Sequence, residues 1–389
     1  MSQRLPDPEL FRHGGFRLAA RLFAPPADLR STEAQLRRFR AFAQAEDPLA
    51  DALVDAPRDV FEEALTRGIS KTPQAPAEVE NFFAVVESAP YWLDLDRVDR
   101  GAKAITRTGL LGLFPLGDMS LMGGYLASRA TKSLVATGEI EHLAGRRLIE
   151  TAAWWIDVTT PGNLRPHRAG YAAALRVRLV HAHVRAAMNR RRDWDYDAWD
   201  RPVNQVQTAG TLILFSLVFV LGTQFLGIRY TERERGDILH LWRYVGWLMG
   251  VDEELLPADE TDAWRLLWLL ATTEFIPDDD SKRLAKALLT THENSRAGKV
   301  LSRVHSAISR LVLGRVNADF LELPDDPVAQ AAVLAAAAAN FAAETARRHI
   351  PGATALQELI GGLERRRYVG QLAKIVQLDP TYARHMRAA

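Results

Sequence analysis

Cysteine is absent from all 389 residues. That excludes disulfides, thiolate metal sites, iron–sulfur clusters, thioester chemistry and covalent attachment of a porphyrin through C-x-x-C-H. A charge excess is absent too: 49 Lys and Arg stand against 48 Asp and Glu, a net charge of +1. Such a balance offers no electrostatic footprint for nucleic acid or an acidic membrane. The first twenty residues hold no uninterrupted apolar stretch of signal-peptide length, because Arg4, Asp7, Glu9, Arg12 and Arg17 break it. The Arg37-Arg38 pair lies too deep for a twin-arginine signal and is followed by polar sequence. The expectation is a cytoplasmic protein. Alternating strand patterns with hairpin dipeptides, fixed-period repeats and Gly/Ser linkers are also missing.

Helical periodicity is what the chain does have. Apolar residues recur at three- and four-residue spacing around 30–45, 59–68, 118–137, 142–157, 168–191, 208–226, 232–249, 262–275, 281–313, 327–348 and 354–376. Prolines and glycines punctuate these runs, as at Pro115-Leu116-Gly117, Pro161-Gly162-Asn163 and Pro351-Gly352. The fold class is therefore all-α, with an N-terminal arm over 1–50 and a single large domain over 51–389. The alanine-rich stretch Ala331 to Ala346 has high helix propensity and predicts a closely packed scaffold helix.

One run tests the soluble reading. Residues 202–228 carry no charge, which by length makes a candidate membrane span. Gln205, Gln207, Thr208, Thr211, Ser216, Thr223 and Gln224 would face lipid unpaired in a span, so a buried core helix is preferred.

Two segments carry candidate chemistry. On a helical wheel of 168–190, Leu175, Leu179, Ala182 and Ala186 fall on one side, and Val177, Val180, Val184 and Met188 on the other. Apolar residues on two faces predict burial on both. His181 stands at the edge of the valine face with Arg178 and Arg185 one turn either side, and no carboxylate lies within a turn. An iron porphyrin would satisfy such a histidine, the arginines pairing with its propionates. A core histidine bonded to a backbone carbonyl would do so as well, and spacing leaves both open. His183 points about 160° away and reads as a polar-face residue. In the second segment, Asp118 reads as the N-cap of a helix that ends at a C-cap, Gly138. Arg129 and Lys132 share a face of that helix, as catalytic groups or as solvated charges. Arg146 and Arg147, on the following helix, read as solvated.

Taken in order, Arg129-x-x-Lys132, Arg176-Val-Arg178-Leu-Val-His181-Ala-x-Val184-Arg185, Pro202-Val-Asn204-Gln205-x-x-Thr208-x-x-Thr211 and His240-x-Trp242-x-x-x-Gly246 resemble the rubber oxygenase (latex clearing protein) and MpaB oxygenase family. The resemblance covers roughly residues 100–260. It implies a globin-like helical core with additional helices, holding one non-covalent haem b. It implies His181 as the proximal iron ligand, Lys132 as the distal residue, Arg129 and Arg185 as pocket residues and Thr211 as a pocket threonine. Members of the family use dioxygen to cleave isoprenoid double bonds or prenyl side chains. The expected function is thus haem-dependent oxygenation of an apolar, unsaturated substrate, with a non-catalytic haem protein or a cofactor-free helical scaffold as the alternatives. One departure stands out: rubber-cleaving members carry an acid upstream of the Arg/Lys pair, whereas 109–117 holds none and the nearest is Asp118.

Overall fold

Side chains that accept backbone N–H groups start most of the helices. Thr32, Asp94, Asn204, Thr231, Asp259, Asp278, Ser295 and Asp326 each satisfy one or two of the unpaired donors at a helix N-terminus. In the computed structural model, residues 3–12, 14–136, 140–291 and 295–376 are described, with side chains except at 14–15, 140–147 and 372–376. The helices of eight residues or more are α1 (Gly14–Phe23), α2 (Glu33–Ala41), α3 (Arg58–Arg67), α4 (Ala77–Glu87), α5 (Leu95–Thr106), α6 (Ser128–Val135), α7 (Ile140–Val158) and α8 (Ala169–Asn189). They continue as α9 (Gln205–Phe225), α10 (Glu232–Leu248), α11 (Glu260–Thr273), α12 (Asp279–Thr290), α13 (Arg296–Phe320), α14 (Pro327–Arg347) and α15 (Ala353–Val376). The chain is 73% helical and forms a single all-α domain, without a strand among the described residues.

The most intimate helix pair is α5 against α10. A Cβ on Gly101 would lie 2.3 Å from the Asp237 carbonyl oxygen, so only glycine permits this approach. Asp237 then receives Arg97 at 3.0 Å and Arg100 at 2.8 Å across the same seam. Around this pair the main core runs from Phe11 to Leu270, and α8, α9 and α11 pass through it. Residues of the N-terminal arm enter that core: Phe11, Phe39, Ala43 and Ala50 are buried. Smaller clusters join α12, α13 and the 122–126 turn, and tie the end of α9 to α13 and α14.

Four expectations change here. The helix expected over 118–137 begins differently: residues 116–121 form a π-helical turn, a break follows at 125–127, and α6 starts at Ser128. Asp118 is inside the π turn and 1% exposed, so it is no N-cap, and Gly138 lies outside the described residues together with the side chains of Arg146 and Arg147. The single run 281–313 is two helices, α12 and α13. Helices α4 and α5, unmarked by the chosen periodic segments, supply Phe82, Phe83 and Ile105 to the core. The alanine-rich α14 is not closely packed: 17% of its apolar window is buried, along a narrow line of Val333, Ala337 and Glu344. Alanine favours the helix without requiring a partner for each face.

Among the described residues two helices, α9 and α14, are long and apolar enough to cross a membrane, and 78% of the apolar window of α9 is buried inside the protein. Most of its polar residues find partners within the protein, Gln224, whose Oε1 is buried without one, being the exception. Thr208, Thr211 and Thr223 donate to carbonyls one turn back, and Gln205 donates to the Glu46 and Gly250 carbonyls while accepting from the Asp252 N–H. A second π turn, 214–218, interrupts α9 where it meets the first.

The α5–α10 seam predicts that Gly101→Val destabilises the fold by roughly 3 kcal/mol in urea unfolding, the upper range for overpacking. Gly370→Ala, where a Cβ meets nothing within 4 Å, should be neutral or gain up to about 1 kcal/mol. Equal effects at the two positions would contradict the close approach.

Candidate active site

Helix α8 buries Leu175, Leu179 and Ala182 in the core, while Val177, Val180, His181 and Val184 remain half-buried on the other side. His181 makes no hydrogen bond to any described residue, so the carbonyl-bonded alternative is not realised among them. Burial pushes its pKa down to about 4; Arg185 adds to the shift and Asp47 opposes it. At neutral pH the ring is therefore uncharged, with a lone pair on one nitrogen.

The two arginines beside it are held by the N-terminal segment. Arg178 pairs bidentately with Asp47 at 2.7 and 2.9 Å, donates to the Leu248 carbonyl at 3.4 Å and lies 5.0 Å over the Phe82 ring. Arg185 donates through Nε to Asp51 at 2.7 Å and through Nη1 to the Val203 carbonyl at 3.3 Å. Its Nη2 is buried without a hydrogen-bond partner, 4.0 Å from Asp47. Burial raises the pKa of Asp51, and Arg185 works against that shift. Arg178 is thus committed to protein carboxylate, whereas Arg185 retains one unsatisfied donor, which costs about 1–3 kcal/mol unless a ligand meets it.

Thr211 is exposed in the middle of the apolar helix α9, with Thr208 and Leu214 half-buried three residues either side. That face is open, unlike the rest of the helix. Arg129 and Lys132 occupy a different neighbourhood. Arg129 donates to the Thr273 carbonyl at 3.3 Å and lies 3.8 and 3.9 Å from Asp200 and Glu274. Lys132 bonds Asp278 at 2.6 Å and Asp280 at 2.7 Å, at the N-terminus of α12, and sits 5.7 Å over Trp199. Burial is the largest single effect on the Lys132 pKa and lowers it, but Asp278 and Asp280 together outweigh it and leave the pKa raised. Helix α6 packs on α12, while the main partners of α8 are α7, α10 and the 48–51 turn. The structure therefore gathers Arg178, His181 and Arg185, and sets Arg129 and Lys132 against acidic partners of their own.

His240 is structural: its Nε2 accepts the Asp94 N–H at 3.1 Å, and burial holds its pKa at about 4. One ionisable pair escaped the sequence reading. Asp118 receives the Nδ1 of His305 at 2.8 and 3.0 Å and the Ser309 hydroxyl at 3.3 Å. The partners are 187 residues apart, so no spacing could have linked them.

Residues 106–344 match the family described as ER-bound oxygenase mpaB/B'/Rubber oxygenase, catalytic domain. The chain belongs to this oxygenase family. It is 23% identical over 317 residues to the rubber oxygenase of Streptomyces sp. (strain K30), covering 79% of this chain and 76% of that protein. Its fold is similar to that of latex clearing protein LCP in the closed state, with a TM-score of 0.61 and 21% identity over 82% of this chain and 88% of the other.

The neutral imidazole has a measurable signature. Folded His181 binds a proton only below about pH 4, and the unfolded residue already does so below 6.5. The unfolded chain then holds more protons, so stability falls as pH drops through that window, by about 3 kcal/mol in total. His181→Leu in ligand-free protein should flatten the stability–pH slope by about one proton, leaving the contribution of His240. An unchanged slope would show that the ring is solvated.

Proposed function

We propose that the chain is a haem-b-dependent oxygenase that uses dioxygen to oxidise or cleave an apolar, unsaturated, isoprenoid-like substrate. The observation that carries this is His181, a half-buried and neutral imidazole without a hydrogen bond to any described residue, beside an arginine with an unsatisfied donor. Those features fit a porphyrin better than they fit a packed core, where buried polar groups are normally paired. When bound, haem supplies an iron centre for dioxygen chemistry. His181 would hold the iron, and its lone pair is available for it because desolvation excludes the proton. Arg185 offers its remaining N–H to a carboxylate of the cofactor, and Arg178 with Asp47 holds α8 in register. Thr211 presents a hydroxyl from the open face of α9.

Lys132 is the distal residue in this reading, with Arg129 positioning it. In this structure Asp278 and Asp280 hold its ammonium in a part-buried pocket, and facing the iron would require it to leave them. The relatives named rubber oxygenase and latex clearing protein support an apolar polymer or lipid as the substrate class.

The test is haem occupancy of purified variants. Wild type and His183→Ala should carry about one extractable haem b per chain, and His181→Ala should lose most of it. Equal occupancy in the two alanine variants would remove His181 as ligand. Lys132→Ala should keep its haem, shift the ferric spectrum and lose most turnover of a polyene such as beta-carotene. A spectrum and turnover matching wild type would leave Lys132 as a clamp on α12.

A further inference from the structure

Helix α14 (Pro327–Arg347) is turned inside out. Its polar side chains, Gln330, Asn340, Glu344, Thr345 and Arg347, are all buried or half-buried, and every exposed residue from Pro327 to Ala346 is apolar. The inward groups are committed to the protein. Asn340 donates to the Leu226 carbonyl at 3.0 Å, and Glu344 accepts the Arg229 N–H at 3.2 Å, Gln357 at 2.8 Å and Arg347 at 3.1 Å. Outside, Val328 is 75% exposed, and Leu334 and Phe341 about half. A surface helix of a soluble monomer carries the opposite pattern, and an exposed apolar strip of this length marks a contact surface.

The strip is ordered. At 100° per residue, Val328, Ala332, Ala335, Ala339, Ala342 and Ala346 form the line that points away from buried Val333 and Ala337, in alternating steps of four and three. That line reads the same in either direction, so two copies can lie antiparallel along it with Ala335 of one against Ala339 of the other. Methyl ridges allow helix axes to approach to about 8 Å. Helices that dock on lipid place bulky side chains on the apolar face, and this ridge is nearly all alanine.

The two ends carry opposite charge. Glu322, Asp325 and Asp326 precede the helix, and Arg347, Arg348 and His349 close it. Asp326 is taken by Arg303 at 2.6 Å, while Asp325 receives Gln330 at 2.7 Å, lies 3.4 Å from Arg310 and keeps its side chain 64% exposed. Arg348 is exposed and has no hydrogen bond or ion pair to any described residue; the charges around it are mostly cations, Arg229, Arg347 and Arg107 against Glu234. A helix of 21 residues is about 31 Å long, so antiparallel pairing brings each end onto the opposite end of a second copy. An anionic lipid surface would instead meet the acids at one end.

We infer that α14 is a dimerisation helix, packed antiparallel on α14 of a second copy across a two-fold axis at the level of Ala337, with Arg348 and His349 of each copy beside Asp325 and Asp326 of the other. The surface goes beyond the proposed oxygenase centre and does not depend on it.

Sedimentation velocity of the full chain, from low micromolar to several hundred micromolar, reads the association directly. Wild type should convert reversibly from monomer to dimer. Ala339→Glu brings like charges to the middle of the ridge and should raise the dissociation constant about a hundred-fold. Position 339 is exposed, so circular dichroism and unfolding of this variant should match wild type. Arg348→Asp should weaken the dimer about ten-fold, because the two-fold axis doubles the change, and adding Asp325→Arg should recover most of that loss. His181→Ala should dimerise as wild type does, which separates this surface from the haem reading. Vesicles of phosphatidylcholine with phosphatidylglycerol should not pull the protein down. A wild-type chain that stays monomeric throughout, or an Ala339→Glu protein that dimerises unchanged, would overturn the inference. So would a charge swap that fails to restore affinity, since only antiparallel copies bring Asp325 to Arg348, and so would a monomer that binds the vesicles.

Discussion

Two arginines flank His181 by one turn on the same helix, and both are buried. A buried guanidinium without a carboxylate costs several kcal/mol, so α8 can occupy the core only if acids arrive from elsewhere. Asp47 and Asp51 provide them, and Asp47 also caps the short turn it opens by accepting the Ala50 N–H. Pinning α8 at two points about two turns apart fixes its rotation about its own axis. The valine face and His181 are thereby turned away from the leucine-packed side. The pairing also explains why the N-terminal segment is part of the fold: its acids complete a charge balance that the rest of the chain leaves open.

Electrostatics then assign each ionisable group its state. His181 is neutral because burial and Arg185 both oppose its proton. Lys132 stays charged because two carboxylates outweigh its partial burial. Asp118 illustrates the opposite case: burial raises its pKa, and only His305 and Ser309 hold that shift in check. A neutral base in a dry setting suits a metal-bearing macrocycle, whereas an ion-paired lysine at a helix N-terminus is a clamp until something competes for it.

Much of this was legible in the residues. The three- and four-residue apolar spacing locates most helices, and the wheel of 168–190 anticipates the packed leucine side of α8, whereas its valine side, expected to be buried too, is only half-buried. The unreadable features are long-range or break the period. Asp47 and Asp51 lie more than 125 residues from the arginines they balance, and spacing within a helix says nothing of them. The π turns at 116–121 and 214–218 insert a residue without disturbing local apolar content, so a 100° wheel passes over them. Asp118 was misplaced for that reason: beside Pro115 and Gly117 it has the surroundings of a cap, yet its partner comes from α13. The exposure of α14 was hidden differently, since alanine serves a packed helix and an unpacked one equally well.

The central claim is that the fold holds His181 unprotonated and unbonded so that it can accept iron. Titration of haem-free protein with ferric haem b, followed by the Soret band and by thermal unfolding, tests this most directly. The account predicts saturation at one haem per chain, a Soret maximum displaced from that of free haem, and a rise in unfolding temperature that His181→Leu abolishes. A titration with no endpoint and no change in unfolding temperature, or one that His181→Leu reproduces in full, would contradict it.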